Sequence, residues 1–332
     1  MRRIIYRILA LIFPTRRMRD FIRAQGIDTN AILIENAISI LHAEMDFSKI
    51  SPAHGIARMI QCSNIKLLSA LDKFFTTNDI EYILIGGSVI GKIRHNGCIP
   101  WDDDIDVAVI GDSWNKLFSK LLHINLGPEF SISFGTSWNM FKLHHKPTGL
   151  FIDIFRFEML DADINADNFN LYLKRKSLYT KIHSEKRISL HHRDNIEILS
   201  SDSIQVRNNK IDKIRAIVSI ENNLFEKIIR QNRPASNTGG LTHFSACSKS
   251  NEVFPHSVIY PIRRLEFEGH NFPFPNLIDD YAFIVWGDIW RLPERFSRHY
   301  DEIGIVQYFA LKQFLAISDS DLYHMIFKDG EN

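Results

Sequence analysis

The sequence predicts an α/β (α+β) fold, a mixed β-sheet flanked by helices, and three observations lead to this prediction. Residues 56–76 carry apolar side chains at helical spacing. Tyr82–Ile85 is a short apolar run that ends in Gly86-Gly87, which is typical of a buried strand followed by a turn. Acidic and apolar residues then alternate within 103–110, which is the period of a strand. Strands, a glycine turn and helices in this order indicate a mixed sheet with helices packed against it.

The remaining elements follow from the same periodicities. Further helices are predicted at 30–48, 89–93 (with Ser88 as N-cap), 113–123, 277–286 and 304–315. Further strands are predicted at 129–134, 139–145 and 150–157, with short strands and turns over 251–275. Residues 166–232 are predicted to be mainly helical, and 234–247 to form a loop. The predicted organisation is a basic N-terminal segment at 1–24, a core at 25–160, a helical insertion or lid at 161–250, and a C-terminal part at 251–332 that completes the domain.

Composition limits the class of protein. A chain of 332 residues, 45% of them hydrophobic, can bury a large core in one or two domains. The net charge of +1 gives no reason to expect a nucleic acid or another polyanion as the main partner. The three cysteines are far apart and have no zinc spacing, so a reducing compartment such as the cytoplasm is expected.

The N-terminal segment concentrates positive charge. Residues 1–24 contain seven arginines and one aspartate, a local charge of +6. The apolar run Ile4–Phe13 is about half the ~20 residues that a bilayer-spanning helix needs. Two interpretations stay open: a helix in the headgroup layer of the anionic inner leaflet, and a helix packed on the domain with solvated arginines.

Four aspartates within five positions are the strongest functional signal. Asp104 and Asp106 alternate with apolar residues, so both carboxylates are expected on one face of a strand, where they can bind a hard cation such as Mg²⁺ or Mn²⁺. Asp102 and Asp103 follow Pro100-Trp101 and suit a turn equally well. An acidic surface turn does not explain Asp106, because buried-strand residues follow it. We therefore predict a metal site at Asp104 and Asp106, which Asp102 can join.

Other residues extend this prediction. Asp153 lies amid apolar neighbours, so it needs a metal, a catalytic role or a structural ion pair. Gly86, Gly87 and Ser88 form a strand-to-helix turn that can bind phosphate or serve only as a turn. Arg94 is suited to bidentate phosphate contact. A second basic group can be an anion clamp or a charged helix end; its members are Arg291, Arg295, Arg298 and His299. No P-loop, Rossmann, zincin or nucleophile-elbow motif is present in the sequence.

These residues resemble the signature of the LicD family, whose best-known members are bacterial phosphocholine transferases and whose distant relatives are fukutin and fukutin-related protein. The most specific block follows Gly86-Gly87-Ser88 and reads Arg94-His95-Asn96-Gly97-Cys98-Ile99-Pro100-Trp101-Asp102-Asp103-Asp104-Ile105-Asp106-Val107. The stretch Phe151-Ile152-Asp153-Ile154-Phe155 resembles the family's later acidic strand. The C-terminal half is similar at 253–255, 265–269, 272–275, 286–288 and 292–293. The resemblance reaches from about 80 to 300, although 160–250 contributes little.

The resemblance implies a nucleotidyltransferase fold, with Gly87-Ser88 beside phosphate and Asp104, Asp106 and Asp153 as an acidic triad. It also implies the reaction: a CDP-linked alcohol such as CDP-choline or CDP-ribitol donates its phospho-alcohol to a hydroxyl of a cell-surface glycan or glycolipid, and CMP is released. Two alternatives stay open. One is a nucleotidyltransferase that moves NMP from an NTP and releases pyrophosphate, and the other is a non-catalytic component of polysaccharide assembly.

Overall fold

The structure is a computed structural model. It describes residues 47, 50–135, 140–160, parts of 171–182, 195–225, 227–228, 242–245, 253–290 and 304–327. The predicted basic segment at 1–24, most of the helix predicted at 30–48 and the second basic group near 291–299 lie outside the described residues.

Eight helices and ten strands with the following bounds build the described part of the chain. The helices are α1 (Gly55–Thr77), α2 (Gly87–His95), α3 (Ser113–His123), α4 (Ile204–Phe225), α5 (His256–Ile259), α6 (Ile278–Trp286), α7 (Ile305–Ala316) and α8 (Asp319–Ile326). The strands are β1 (Tyr82–Ile85), β2 (Asp106–Ile110), β3 (Phe130–Gly135), β4 (Met140–His145), β5 (Leu150–Leu160), β6 (Asn195–Leu199), β7 (Thr242–Ser245), β8 (Val253–Pro255), β9 (Arg263–Phe267) and β10 (His270–Phe274).

One large mixed sheet organises the fold. Its strand order is β1-β2-β5-β4-β3-β6, and β7 pairs with β5 and β8. β2 and β5 are parallel, whereas the other pairings in this sheet are antiparallel. β9 and β10 form a separate antiparallel hairpin. The predicted class, a mixed sheet with flanking helices, is confirmed.

Element predictions hold best where periodicity is strong. The helix predicted at 56–76 is α1, and the strands predicted from 82 to 157 are β1 to β5. The acidic strand starts later than predicted, because β2 begins at Asp106 rather than near 103. The helix is predicted to begin at Val89 with Ser88 as its N-cap, but α2 begins two residues earlier, at Gly87, with Gly86 as its N-cap (φ 62°, ψ −143°). Glycine adopts this positive φ at little cost, so the backbone turns at Gly86 and Ser88 becomes part of the helix.

Among the described residues of 161–250, two strands lie where none was predicted. β6 lies within the span predicted to be mainly helical, and it pairs with β3 at the edge of the main sheet. β7 lies in the predicted loop and pairs with Phe157–Leu160 of β5. Both strands are short, and their partners are distant in sequence, so local periodicity does not identify them. The domain boundaries remain predictions.

A continuous apolar core joins the sheet to its helices. The central strands contribute fully buried residues such as Val107, Val109 and Ile152. α1 buries Leu67, Leu68 and Phe75 among other residues of the same core, and α7 and α8 pack against α1. This packing fixes α1 beside the chain segment that carries the aspartates. Within the described ranges, no helix combines the length and apolarity needed to cross a membrane.

Acid pH is expected to destabilise this core through His145. The side chain is 3% exposed and its Nδ1 lies 2.7 Å from Thr148 Oγ1. Burial lowers its pKa to about 4 although Glu129 opposes the shift. The unfolded chain therefore binds the extra proton first, and stability present above pH 6.5 is lost as pH falls toward 4, by roughly 3 kcal/mol. Chemical denaturation from pH 7.5 to 4 should show a steeper loss in wild type than in His145→Gln, whereas His123→Gln, at an exposed position, should follow wild type.

Candidate active site

Strand register brings two of the predicted acidic residues side by side. In the antiparallel pair β1–β2, Ile85 is opposite Asp106, and in the parallel pair β2–β5, Asp106 is opposite Asp153. On the next strand, Lys142 of β4 is opposite Asp153. Because register partners on neighbouring strands point to the same face, Asp106, Asp153 and Lys142 form a polar row across the sheet.

The glycine turn directly contacts the aspartates. A Cβ added at Gly86 would lie 2.5 Å from Asp106 Oδ2, and one added at Gly87 would overlap Asp102 Oδ2. The carboxylates of Asp106 and Asp102 therefore occupy the space that side chains at Gly86 and Gly87 would fill. The glycines are required both for the turn and for this close approach.

The four carboxylates predicted as metal ligands are electrostatically coupled. Burial raises the pKa of Asp106 well above its ordinary value, and the charges of Asp104, Asp153 and Asp102 raise it further, while Lys142 opposes them. Burial also raises the pKa of Asp102 to about 7, with repulsion from Asp104 and Asp103 adding to the shift. The residues of the predicted acidic site are thus within interaction range of one another, and their mutual repulsion favours a bound cation.

Asp153 has an ion-pair partner that sequence analysis did not identify. Lys142 Nζ lies 2.5 Å from Asp153 Oδ1, and the two side chains are 25% and 11% exposed. Lys142 Nζ also lies 3.8 Å from the centroid of the Phe151 ring. The position of Lys142 between the apolar residues Phe141 and Leu143 was the available signal, because a lysine inside a buried strand needs a partner.

A small cleft opens beside this row. Its lining includes Gly87 and Ser88 of the predicted phosphate turn and Asp102, Asp103 and Asp104 of the acidic stretch. Ser88 is buried within the first turn of α2. The N-terminal end of α2, which carries N–H groups without helical acceptors, therefore lies on the same cleft as the carboxylates. Residues predicted to bind phosphate and residues predicted to bind a cation therefore line one cleft.

Buried amides of α1 hold the acidic stretch in place. Gln61 Nε2 donates to the carbonyl oxygens of Ile99 and Asp102, each at 2.9 Å, and Asn64 Nδ2 donates to the carbonyl oxygen of Asp103 at 2.8 Å. Gln61 is 3% exposed and Asn64 is 1% exposed. The apolar periodicity predicts α1 but does not identify either residue as part of the site. The available indication was that both polar side chains lie on the apolar face of the helix.

The β9–β10 hairpin supports the same stretch from another direction. Glu268, in the hairpin turn, accepts hydrogen bonds from Cys98 N–H at 2.7 Å and from Arg58 at 2.6 Å. Burial alone would raise the pKa of Glu268, but hydrogen bonds from Arg58 and the Cys98 N–H outweigh it and lower the pKa. The sequence match at 265–269 is therefore connected to the site through a carboxylate that anchors the loop after α2.

The structure does not bring Arg94 to the cleft, in contrast to its predicted role in phosphate binding. Its guanidinium donates to the carbonyl oxygen of Ile289 at 2.9 Å and lies 4.0 Å from the centroid of the Phe47 ring. The Trp101 ring centroid is 5.7 Å from the same group. Arg94 is buried, and burial lowers its pKa to about 10. These contacts use the guanidinium for packing between α2, the acidic stretch and the residues after α6.

The acidic residues have the chemistry of a cation site, although their side chains are not arranged as a complete set of ligands. In the part of the chain that the structure describes, no group of three His, Cys, Asp or Glu side chains is preassembled as a metal site. Asp102, Asp104, Asp106 and Asp153 nevertheless supply oxygen ligands, which hard divalent cations prefer. The negative charges of Asp104, Asp153 and Asp102 repel ionised Asp106, and Lys142 acts in the opposite direction. A cation bound among these carboxylates would reduce the repulsion.

Gly86→Ala is expected to destabilise the fold through the contact with Asp106. The added Cβ meets Asp106 Oδ2 at 2.5 Å, and the position has φ 62°, which costs an L-residue about 1–2 kcal/mol. Gly269→Ala is the matched control, because Gly269 has φ 82° but its added Cβ meets nothing within 4 Å. We expect Gly86→Ala to lose more unfolding free energy than the control, measured by urea denaturation. Equal losses in the two variants would contradict the contact with Asp106.

Comparison with known proteins relates the site to other chains. Residues 79–194 match the family model described as LicD/FKTN/FKRP, nucleotidyltransferase domain. The chain is 26% identical over 251 residues to the lipopolysaccharide cholinephosphotransferase LicD of Haemophilus influenzae, covering 68% of this chain and 89% of that protein. Shorter matches are to uncharacterised proteins of Rickettsia prowazekii (30% over 78 residues; 23% of this chain, 29% of that protein) and Rickettsia typhi (31% over 75 residues; 21% and 24%). The matched range includes Gly86 and Gly87 and the four aspartates predicted as metal ligands, which are Asp102, Asp104, Asp106 and Asp153.

Proposed function

Because the chain belongs to the LicD family, we propose that it transfers a phospho-alcohol, such as phosphocholine or a polyol phosphate, from a CDP-linked donor to a hydroxyl of a cell-surface glycan, with release of CMP. One observation supports this proposal most directly. The carboxylates of Asp106 and Asp102 lie against the backbone of Gly86 and Gly87, at the N-terminal end of α2. A family relative named as a lipopolysaccharide cholinephosphotransferase supports phosphocholine as a donor group and lipopolysaccharide as an acceptor.

The chain's own residues have distinct roles in this reaction. Gly87 and Ser88 would hold donor phosphate through backbone N–H groups at the start of α2, where the helix dipole favours negative charge. Asp104, Asp106 and Asp153, joined by Asp102, would hold Mg²⁺ or Mn²⁺. Such an ion supplies positive charge that offsets the negative charge developing on the phosphates.

The transfer itself is a displacement at phosphorus. The acceptor hydroxyl oxygen forms a bond to the phosphorus that carries the alcohol, and the bridging bond to the other phosphate breaks. The bonding electrons leave with CMP, and the acceptor proton passes to a base. Asp153, beside Asp106 in the row, would either take this proton or complete the coordination of an ion. The glycine turn would orient the donor for in-line attack together with the acidic stretch, whose backbone carbonyls accept hydrogen bonds from α1.

Donor binding and product analysis test this proposal. Thermal unfolding of the full chain with Mg²⁺ should show selective stabilisation by one of CDP-choline, CDP-ribitol and CDP-glycerol, because a ligand that binds only the native state stabilises it. Incubation of that donor with a glycan acceptor should release CMP. Release of pyrophosphate from an NTP would instead support the nucleotidyltransferase alternative. Absence of Mg²⁺ and Mn²⁺ binding would support the non-catalytic one.

We also propose that the chain works at the inner face of the membrane, through the basic segment at 1–24. The charge of +6 in this segment supports attraction to anionic headgroups. Full-length protein should sediment with vesicles that contain phosphatidylglycerol and remain in solution with purely phosphatidylcholine vesicles. Equal sedimentation with both would contradict this location.

A further inference from the structure

The polar row of Asp106, Asp153 and Lys142 continues across the sheet to its far edge. In the antiparallel pair β3–β4, Lys142 is opposite Ser133, and in the pair β3–β6, Ser133 is opposite Glu197. Because register partners share a face, these five side chains lie on one face of the sheet, in the strand order β2, β5, β4, β3, β6. The glycine turn follows β1, beside β2, so it lies at the other end of this row.

A second row runs beside the first on the same face. His144 comes two residues after Lys142 in β4 and therefore shares its face. Its register partners are Ser131 of β3 and Phe151 of β5. His144 Nε2 lies 2.7 Å from Ser133 Oγ, so a hydrogen bond links the two rows. Beyond the acidic residues, this face of the sheet thus carries a continuous set of uncharged hydrogen-bonding groups.

We define the serine–histidine strip as Ser131, Ser133, His144 and Glu197. Two of its hydroxyls are deeply buried, because Ser131 is 0% exposed and Ser133 is 4% exposed. Ser131 Oγ has no hydrogen-bond partner in the part of the chain that the structure describes. A buried polar group without a partner is costly, so this hydroxyl marks a place for a further polar group. His144 is half-buried and Glu197 is exposed, so the strip opens to solvent toward the sheet edge.

The geometry of displacement at phosphorus indicates the side from which the acceptor approaches. The attacking and leaving oxygens lie roughly in line, on opposite sides of the phosphorus. With the donor phosphates at the glycine turn, beside Asp106, the leaving phosphate lies toward β1. The acceptor hydroxyl then approaches from the other side, past Asp153 and from the direction of β4 and β3. The side chains in that direction are those of the serine–histidine strip.

This inference rests on the function proposed above and identifies the surface that binds the acceptor. We propose that the serine–histidine strip binds the sugars of the acceptor, with His144, Ser133 and Ser131 making hydrogen bonds to sugar hydroxyls. Serine hydroxyls and imidazole nitrogens can donate and accept, as sugar hydroxyls do. Neighbouring strands lie about 4.8 Å apart, so the path from Asp153 to Glu197 spans about 14 Å. That length exceeds one sugar ring, so the acceptor is an oligosaccharide that extends from Asp153 toward β6.

Separate titrations of donor and acceptor test this inference. CMP release by the full chain is measured with Mg²⁺, a CDP-linked donor and oligosaccharides released from bacterial lipopolysaccharide. His144→Phe keeps a ring but removes both nitrogens, so the KM for the oligosaccharide should rise at least tenfold while the KM for the donor stays within twofold. Ser133→Ala, which removes the hydroxyl paired with His144, should act in the same direction. His123→Phe, at an exposed position on α3, is the matched control and should keep both wild-type values.

Direct binding of the same oligosaccharides to the full chain is measured alongside, because it requires no turnover. Glu197→Ala changes an exposed residue at the sheet edge and should weaken this binding at least threefold. Unchanged oligosaccharide affinity in folded His144→Phe, or no oligosaccharide binding by the wild-type chain, would overturn the inference. An equal rise in the donor KM of His144→Phe would assign His144 to the donor and would also overturn it. Binding that both substitutions weaken, without CMP release from any donor, would support the strip and contradict the proposed transfer.

Discussion

Asp106→Asn is expected to abolish transfer while the chain remains folded. Asp106 lies beside Asp153 in the polar row, and its carboxylate approaches the glycine turn. Asparagine has nearly the same shape, but its neutral amide is a poor ligand for a hard cation. We expect kcat to fall at least 100-fold, which is about 2.7 kcal/mol in the activation barrier. The measurement is CMP release under saturating donor, with circular dichroism to verify the fold.

The same substitution should have the opposite effect on the metal-free protein. Repulsion from Asp104, Asp153 and Asp102 disfavours ionised Asp106, so an uncharged residue relieves this repulsion. In buffer with a chelator, Asp106→Asn should therefore melt at a higher temperature than the wild-type chain, and Mn²⁺ should no longer raise its melting temperature. Asp112→Asn, an exposed aspartate before α3, is the control and should change neither property. Retention of more than about a tenth of wild-type kcat would count against Asp106 as a metal ligand.

The sequence predicts the parts of this site that depend on local pattern. Asp106 stands out because an acidic residue starts an apolar strand, and Asp153 stands out because it lies amid apolar neighbours within a strand. The glycine pair is visible as a strand-to-helix turn. These features could be predicted because each is encoded within a few neighbouring residues. The side-by-side placement of the two aspartates by parallel β2 and β5 is not local, and only the family resemblance implies it.

Contacts between distant segments could not be predicted in this way. The pairing of Lys142 with Asp153 depends on the register of β4 against β5, which the sequence of either strand alone does not specify. Arg94 was assigned to phosphate because its chemistry suits that role, but the fold places Ile289 and Phe47 around it. The two short strands at 195–199 and 242–245 likewise owe their conformation to partners elsewhere in the sheet.

Gln61→Leu should uncouple the acidic stretch from α1 and so reduce both stability and transfer. The substitution keeps the side-chain volume but removes the donor that serves the Ile99 and Asp102 carbonyls, leaving polar groups without that partner. A loss of roughly 2–3 kcal/mol in unfolding free energy is expected. Because the backbone carbonyl of Asp102 is no longer held, the carboxylate of the same residue should lose its fixed position. We therefore expect kcat to fall tenfold or more.

The pattern of kinetic change distinguishes this positioning role from a general loss of stability. Urea denaturation measures the unfolding free energy, and kcat is compared at a temperature where both proteins are fully folded. Gln313→Leu is the matched control, because Gln313 is an exposed glutamine on α7, far in sequence from the acidic stretch, and should keep wild-type kcat. Asn64→Leu, which removes the donor to the Asp103 carbonyl, should resemble Gln61→Leu. If Gln61→Leu lost stability but kept wild-type kcat and Mn²⁺ affinity, α1 would support the fold alone, and the geometry of the carboxylates would have to be fixed by the sheet and the glycine turn.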